Sequence, residues 1–268
     1  MRWVEDVGLI AIVGIFVVRR LARNSPPMPW VRPPMELMLV VALFGGAGVV
    51  ATEALIAGHS LWGAAAFLVG GPGGWVRIAR VVSEGAALWL CIRGLGMVAP
   101  VALFAAASLA FAGHAAAQPQ AAGPIFADVL HVLSAGVWAG GIIALATVRP
   151  PGGWSGEEGR TMLVRFGRVA LIAFAITAMT GVVAAASALS YFSDLWTTQY
   201  GIALSAKSAG VLVMVLLSTL AWRRGLGLVR FEAGVAVLVL GATAVLAVTP
   251  IPPARGEATP VSTANIGR

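Results

Sequence analysis

Eight apolar runs, each close to the length of a membrane-spanning helix, constrain this chain more than any other feature. A helix needs about 20 mainly apolar residues to cross the hydrocarbon core of a bilayer. The runs cover residues 3–21, 35–57, 75–92, 94–113, 125–148, 169–189, 202–222 and 231–248. Only 11% of the residues are charged, against roughly 25% in ordinary soluble domains. The sequence therefore predicts an all-α, polytopic transmembrane helix bundle of about eight spans.

The segments between and around these runs predict the domain organisation. Residues 60–74 are apolar but interrupted by glycine and too short to cross, which favours a re-entrant or interfacial segment. We expect an N-terminal membrane region at 1–112 with about four helices, and a second membrane domain at 113–253 with about four more. Residues 254–268 are polar and are expected to form a disordered tail. The first run lacks a small-residue cleavage site, so we interpret it as a retained span.

The arginines predict the orientation. With the amino terminus outside, the loops after the first, third, fifth and seventh runs carry most of them: Arg19, Arg20, Arg23, Arg32, Arg93, Arg149, Arg160, Arg165, Arg168, Arg223, Arg224 and Arg230. The other side receives Arg2, Arg77, Arg80, Arg255 and Arg268. This asymmetry favours both termini on the extracytoplasmic side. Arg77 and Arg80 depart from the pattern, and we expect Glu84 to pair with them in part.

The fifth run carries an ionisable stripe. On a regular helix, Asp128, His131 and Trp138 lie on one face, whereas Gly136 and Gly140 lie on another. Ionisable side chains inside an apolar helix are costly in lipid and are functional candidates by default. The glycines would allow close contact with another helix.

Histidines and carboxylates gather at one end of the predicted bundle. The orientation places five candidate metal ligands at the extracytoplasmic ends of their helices: His59, His114, His131, Glu53 and Asp128. Neutral imidazole binds copper, zinc, iron and nickel, and a nearby carboxylate can orient the ring. The alternative is structural: His114 caps a helix end, and His131 bonds to a neighbouring helix. Lys207 is either an anchor that reaches the interface or a charge partner of Asp128 or Glu53.

Other functional classes are disfavoured. The chain contains no GxSxG, Walker A, HExxH or strand-linked GxGxxG motif, so we expect no enzymatic activity and no ATP-driven pump. Its single cysteine, Cys91, excludes an internal disulfide and a CxxC site. The net charge of +7 comes from arginines scattered between apolar runs, which indicates membrane topology and not nucleic-acid binding.

Several motifs in the second half of the chain occur together in one known family. They are GHA at 113–115, DVLHVLSAGVWAGGI at 128–142, RFGRVAL at 165–171, TGVV at 180–183, LWTTQYGIALSAK at 195–207, RFE at 230–232 and a closing TPIPP. With them, residues 113–253 resemble the copper resistance D (CopD) family of bacterial membrane proteins. Gln199 departs from the family, which often has proline before Tyr-Gly.

The resemblance implies an inner-membrane protein for copper transport, homeostasis and resistance. It implies His114 and His131 as metal-contacting residues, with Trp138, Tyr200 and Lys207 as motif residues of unassigned role. It also implies a separate periplasmic copper-binding partner of the CopC type, since this chain contains no such domain. Copper would be captured at the extracytoplasmic histidine site.

Two other functions fit the same residues. His114 and His131 could ligate a haem near the outer surface of a membrane redox protein. Alternatively, the protein could present copper to another membrane protein without transporting it. A haem absorption spectrum would identify the former, and copper binding without flux would identify the latter.

Overall fold

The computed structural model describes residues 1–58, 60–112, 121–224, 228–250 and 252, and in this part of the chain all regular secondary structure is helical. This confirms the all-α prediction. The helices are α1 (Arg2–Ala22), α2 (Met35–Gly58), α3 (Leu61–Val69), α4 (Pro72–Ile92), α5 (Val98–Ala107), α6 (Ala122–Ala135), α7 (Gly141–Ala146), α8 (Glu157–Ala188), α9 (Asp194–Thr197), α10 (Gln199–Arg224) and α11 (Val229–Leu246). A 3₁₀ segment, Ser108–Ala112, continues α5, and a π-helical turn, Gly136–Gly140, joins α6 to α7.

Five helical segments of the described chain are long and apolar enough to cross a membrane: Met35–Ala57, Ala122–Ala146, Glu157–Ala188, Gln199–Leu220 and Val229–Leu246. They indicate a membrane protein. The first and third predicted spans form the helices α1 and α4, which carry more charge, and the fourth is divided between α5 and the 3₁₀ segment. Eight spans therefore stay a prediction. Helix α3 has nine residues and is too short to cross, as predicted for that segment.

Helix α1 lies at the centre of the bundle. Its residues Leu9–Ile15 are all buried, and it contacts α2, α5, α6, the π turn, α7, α8 and α11. Elements from both predicted membrane regions therefore surround it. Because its neighbours are protein and not lipid, α1 tolerates the charged residues that make its run marginal by hydropathy.

Small residues allow α1 to pass close to the π turn. A Cβ atom on Gly14 would overlap the backbone of Gly140, and one on Gly136 would lie 2.6 Å from Cβ of Val13. Gly136 and Gly140 thus share a face that packs on α1, which confirms the predicted glycine face. Close backbone approach of this kind is the usual role of small residues between membrane helices.

Helix α8 begins at Glu157, well before the predicted start at residue 169. Part of the expected polar loop is therefore helical and extends beyond the apolar segment. From this extension the guanidinium of Arg165 donates hydrogen bonds to the carbonyls of Leu21, Asn24, Ser25 and Pro26, at 2.9 to 3.3 Å. One arginine therefore holds the turn that links α1 to α2.

Candidate functional site

A polar seam joins α6 to α8 and contains His131. We call it the histidine seam and define it as His131, Ser134, Thr177 and Thr180. Nδ1 of His131 lies 2.9 Å from Oγ1 of Thr180, and Oγ of Ser134 lies 2.7 Å from Oγ1 of Thr177. The ring also lies beside Gly181, where a Cβ would be 3.4 Å from Cε1. Helices α6 and α8 are antiparallel. His131 therefore meets Thr180, and Ser134, three residues later, meets Thr177, three residues earlier.

The hydrogen bonds of Thr180 favour one of the two tautomers of the His131 ring. The single hydroxyl hydrogen of Thr180 points to the carbonyl of Ile176, 2.8 Å away, with the carbonyl of Thr177 at 3.1 Å. The oxygen of Thr180 is therefore left to accept a hydrogen from Nδ1 of His131. We assign the hydrogen of the neutral ring to Nδ1, which leaves the lone pair on Nε2. That is the arrangement in which an imidazole binds a metal while its other nitrogen is held by the protein.

Trp138 continues the same contact with α8. Its ring packs edge-to-face on Phe174 at a centroid distance of 4.8 Å, and only 6% of its surface is exposed. His131 and Trp138 therefore both face α8, as the predicted stripe requires. Trp138 belongs to the π turn, which begins five residues after His131, and such turns occur often at functional sites.

A charge network fills the interface of α1, α2 and α4 and has two layers. In the outer layer, Oε2 of Glu53 lies 2.5 Å from Nε of Arg77, and Oε1 of Glu53 lies 3.6 Å from Nη2 of Arg2. Glu53 was predicted as a metal ligand, but its carboxylate is engaged by two guanidinium groups. This arrangement makes it a poor candidate for binding a cation.

The inner layer of the network contains Glu5, Arg80 and Glu84. All three side chains are at most 1% exposed. Nε of Arg80 lies 2.6 Å from Oε1 of Glu5. We expected Glu84 to pair with Arg80 on their own helix, but the ion pair that forms crosses from α4 to α1. The carboxylate of Glu84 lies instead against Gly46 of α2, where Glu5 also approaches.

Lys207 belongs to a third group of charges. It interacts electrostatically with Asp128 of α6 and with Asp6 of α1, and its charge also acts on His131. Of the two alternatives for Lys207, the structure favours the charge partner of Asp128. Its interaction with Asp6 was not predicted. The lysine thus connects α10 electrostatically to the helix that carries His131 and to the central helix.

Three of the five predicted metal ligands can be placed. Asp128 and His131 lie one turn apart on α6, and Glu53 belongs to the charge network. His59 and His114 lie outside the described residues, so the proposed set of three histidines stays a prediction. Within the described ranges, no group of three or more histidine, cysteine, aspartate or glutamate side chains is arranged to hold a metal ion.

Sequence reasoning missed Glu5 and Asp6. The signal was present, since two adjacent acids open an apolar run of a predicted span. They were overlooked because the first predicted span is only marginally apolar, so its amino end resembles a segment at the membrane interface. Only the central position of α1 shows that Glu5 is buried.

Comparison of the chain with protein-family models, with curated proteins and with solved structures finds no match in any of the three.

Proposed function

We propose that this protein captures copper at the extracytoplasmic face of the bacterial inner membrane and passes it inward through the helix bundle, with Nε2 of His131 as a ligand. The observation that supports this proposal is the hydrogen bond between Nδ1 of His131 and Thr180. It holds the ring in the tautomer that a metal requires. The motif resemblance around His131 supplies the choice of copper among the metals that imidazole binds.

The depth of His131 supports a transport role over surface display. The residue lies nine positions after the start of α6 at Ala122, which is about 13 Å along a helix that rises about 1.5 Å per residue. Its ring packs between α6 and α8. A copper ion bound there would already have left the aqueous surface, as an ion does at an entry site of a channel or transporter.

The remaining ligands are proposed from the motif resemblance and from the charges near His131. His114 is the second imidazole on the strength of the motif resemblance. Asp128 lies one turn from His131 and interacts with Lys207, so it suits a role in orienting and balancing the charge of the site. Glu53 is engaged by arginines, and we leave it out of the set. A separate periplasmic protein of the CopC type would deliver the metal.

The test is the copper content of purified protein, measured by elemental analysis together with visible spectroscopy. We expect wild type to hold copper stoichiometrically and His131→Gln to lose it while remaining folded. Ser134→Ala is the matched control, because it removes a seam hydroxyl one turn away and leaves the bond from Nδ1 to Thr180 intact. Equal copper content in wild type and His131→Gln would show that His131 is structural and would end the proposal.

Two further measurements distinguish the alternatives. Copper flux into sealed vesicles is expected for a transporter, whereas binding without flux would identify a delivery or assembly factor. Expression with abundant haem tests the redox alternative. A Soret band that disappears in His131→Gln would assign the histidine to haem and would exclude the copper site.

A further inference from the structure

The inner layer of the charge network contains more carboxyl groups than cations. Arg80 is the cation that acts on Glu84 and it also forms an ion pair with Glu5, and all three side chains are excluded from solvent. Nε of Arg80 lies 2.6 Å from Oε1 of Glu5, so the positive charge of Arg80 is balanced by the carboxylate of Glu5. Both oxygens of Glu84 and the Nη2 atom of Arg80 have no hydrogen-bond partner among the described residues. Glu84 is therefore a buried acid whose nearest cation is engaged by another carboxylate.

The two carboxyl groups converge on one point of α2. The site where a Cβ of Gly46 would stand is in contact with Oε2 of Glu84 and is 3.2 Å from Oε1 of Glu5. This places the two acids in the range of about 4–6 Å in which one carboxylate opposes ionisation of the other. Gly46 makes the approach possible, because any side chain at that position would occupy the space of the carboxyl group.

Among the described residues, Arg80 is the cation that acts on Glu84, whereas Glu5 is acted on by Arg2 as well as by Arg80. From α1 the neighbouring groups are Arg2 and Asp6, from α2 Glu53, and from α4 Arg77. Arg2 and Arg77 contact Glu53, and Asp6 interacts with Lys207. Helices α3 and α5 and the 3₁₀ segment, which also pack near α4, carry no ionisable residue. A charged Glu84 would therefore be a buried carboxylate whose one cation is already paired with Glu5, which is strongly unfavourable.

We propose that Glu84 is a proton-binding site within the membrane and that it carries its proton when Arg80 is paired with Glu5. When Glu84 releases the proton, two carboxylates compete for one guanidinium, and the contact between α1 and α4 must change. The layer of Arg77, Glu53 and Arg2 lies directly outside and gives the proton a polar path to one end of the bundle. Proton exchange at Glu84 is therefore coupled to a rearrangement of the central helix α1. This inference does not depend on the copper proposal.

The test is infrared spectroscopy of the full-length protein in lipid at neutral pH. A protonated carboxylic acid has a carbonyl stretch that is separate from the carboxylate bands and shifts when water is replaced by deuterium oxide. We expect wild type to show such a band and Glu84→Gln to lose one component of it. The matched control is Glu232→Gln, which removes another buried acid, one that accepts a hydrogen bond from Ser218 at 3.3 Å. The Glu84 component must remain in this variant.

A second variant tests the charge count itself. In Glu5→Gln the guanidinium of Arg80 is released to Glu84, so Glu84 should ionise and its band should disappear although the residue is still present. The proposal is overturned if wild type has no protonated-acid band, if the band survives unchanged in Glu84→Gln, or if it persists in Glu5→Gln. Wild type and Glu5→Gln can each overturn the proposal. It therefore remains testable even if Glu84→Gln does not fold.

Discussion

At the scale of single residues, the histidine seam depends on one hydroxyl group. Thr180 fixes the hydrogen of His131 on Nδ1 because its own hydrogen is given to a helix carbonyl. Thr177, one turn away, bonds to Ser134 through its hydroxyl instead. The two threonines are similar in chemistry and location, but Thr180 contacts the ring through its side chain and Thr177 through its backbone. They therefore form a natural pair for mutagenesis.

We predict that Thr180→Val lowers copper affinity by about 10- to 100-fold, the usual effect of removing a group that orients a metal-binding histidine. Valine keeps the shape of threonine but cannot accept the hydrogen of Nδ1. Thr177→Val should leave the affinity within a few fold of wild type. Competition titrations with a copper chelator would measure both constants. Equal losses in the two variants would mean that the seam contributes packing alone.

The residues of the site were only partly predictable from the sequence. His131 and its stripe could be found because helical spacing determines which side chains share a face. The partners of that stripe, Thr177 and Thr180, could not, since neither is distinctive and no spacing rule relates one helix to another. Glu5 and Glu84 were missed as a pair for the same reason, because they come together only when α1 and α4 both pack on α2.

At the scale of helices, the crossing of α1 over the π turn is the tightest feature of the bundle. The backbone of Gly140 occupies the space that a side chain on Gly14 would need. Gly167 of α8, in contrast, has nothing within 4 Å of an added Cβ. Adding the same methyl group at the two glycines therefore tests whether close contact is required.

We predict that Gly140→Ala destabilises the protein by about 1–3 kcal/mol, as overpacking of a well-packed core usually does. The added methyl group would overlap the carbonyl of Ile10 and push α1 out of place. Gly167→Ala should cause no loss. Unfolding of both variants in detergent, followed by tryptophan fluorescence, would measure the difference. A stable Gly140→Ala protein would show that the helices can separate at this point without cost.

The existence of the helices was largely predictable, and their ends were not. Apolar length identifies the spanning segments, because the thickness of the bilayer imposes it. The early start of α8 at Glu157 was missed because its first turns are polar. A polar helix outside the bilayer leaves no signal in the hydropathy of the sequence. The π turn was missed because one extra residue in a turn leaves the composition of the helix unchanged.

At the scale of the whole molecule, the arginine distribution predicts opposite sides for two loops. Ser155, before α8, and Ser193, before α9, are both exposed. In a Cys91→Ser background, we predict that Ser193→Cys reacts with an impermeant maleimide added to intact cells. Ser155→Cys should react only after the membrane is opened, because the arginine distribution predicts that its loop lies on the cytoplasmic side. The opposite pattern would invert the topology and would move the histidine site to the cytoplasmic face.

The central position of α1 has a consequence for how the protein is made. The ribosome releases α1 before the other helices, yet the indole of Trp3 donates a hydrogen bond to the carbonyl of Val237 in α11, at 2.9 Å. Synthesis at about 5–20 residues per second separates the two helices by many seconds. Until α4 is made, Glu5 also lacks its ion pair with Arg80. We therefore expect α1 to reach its final central position only after the later helices have been made.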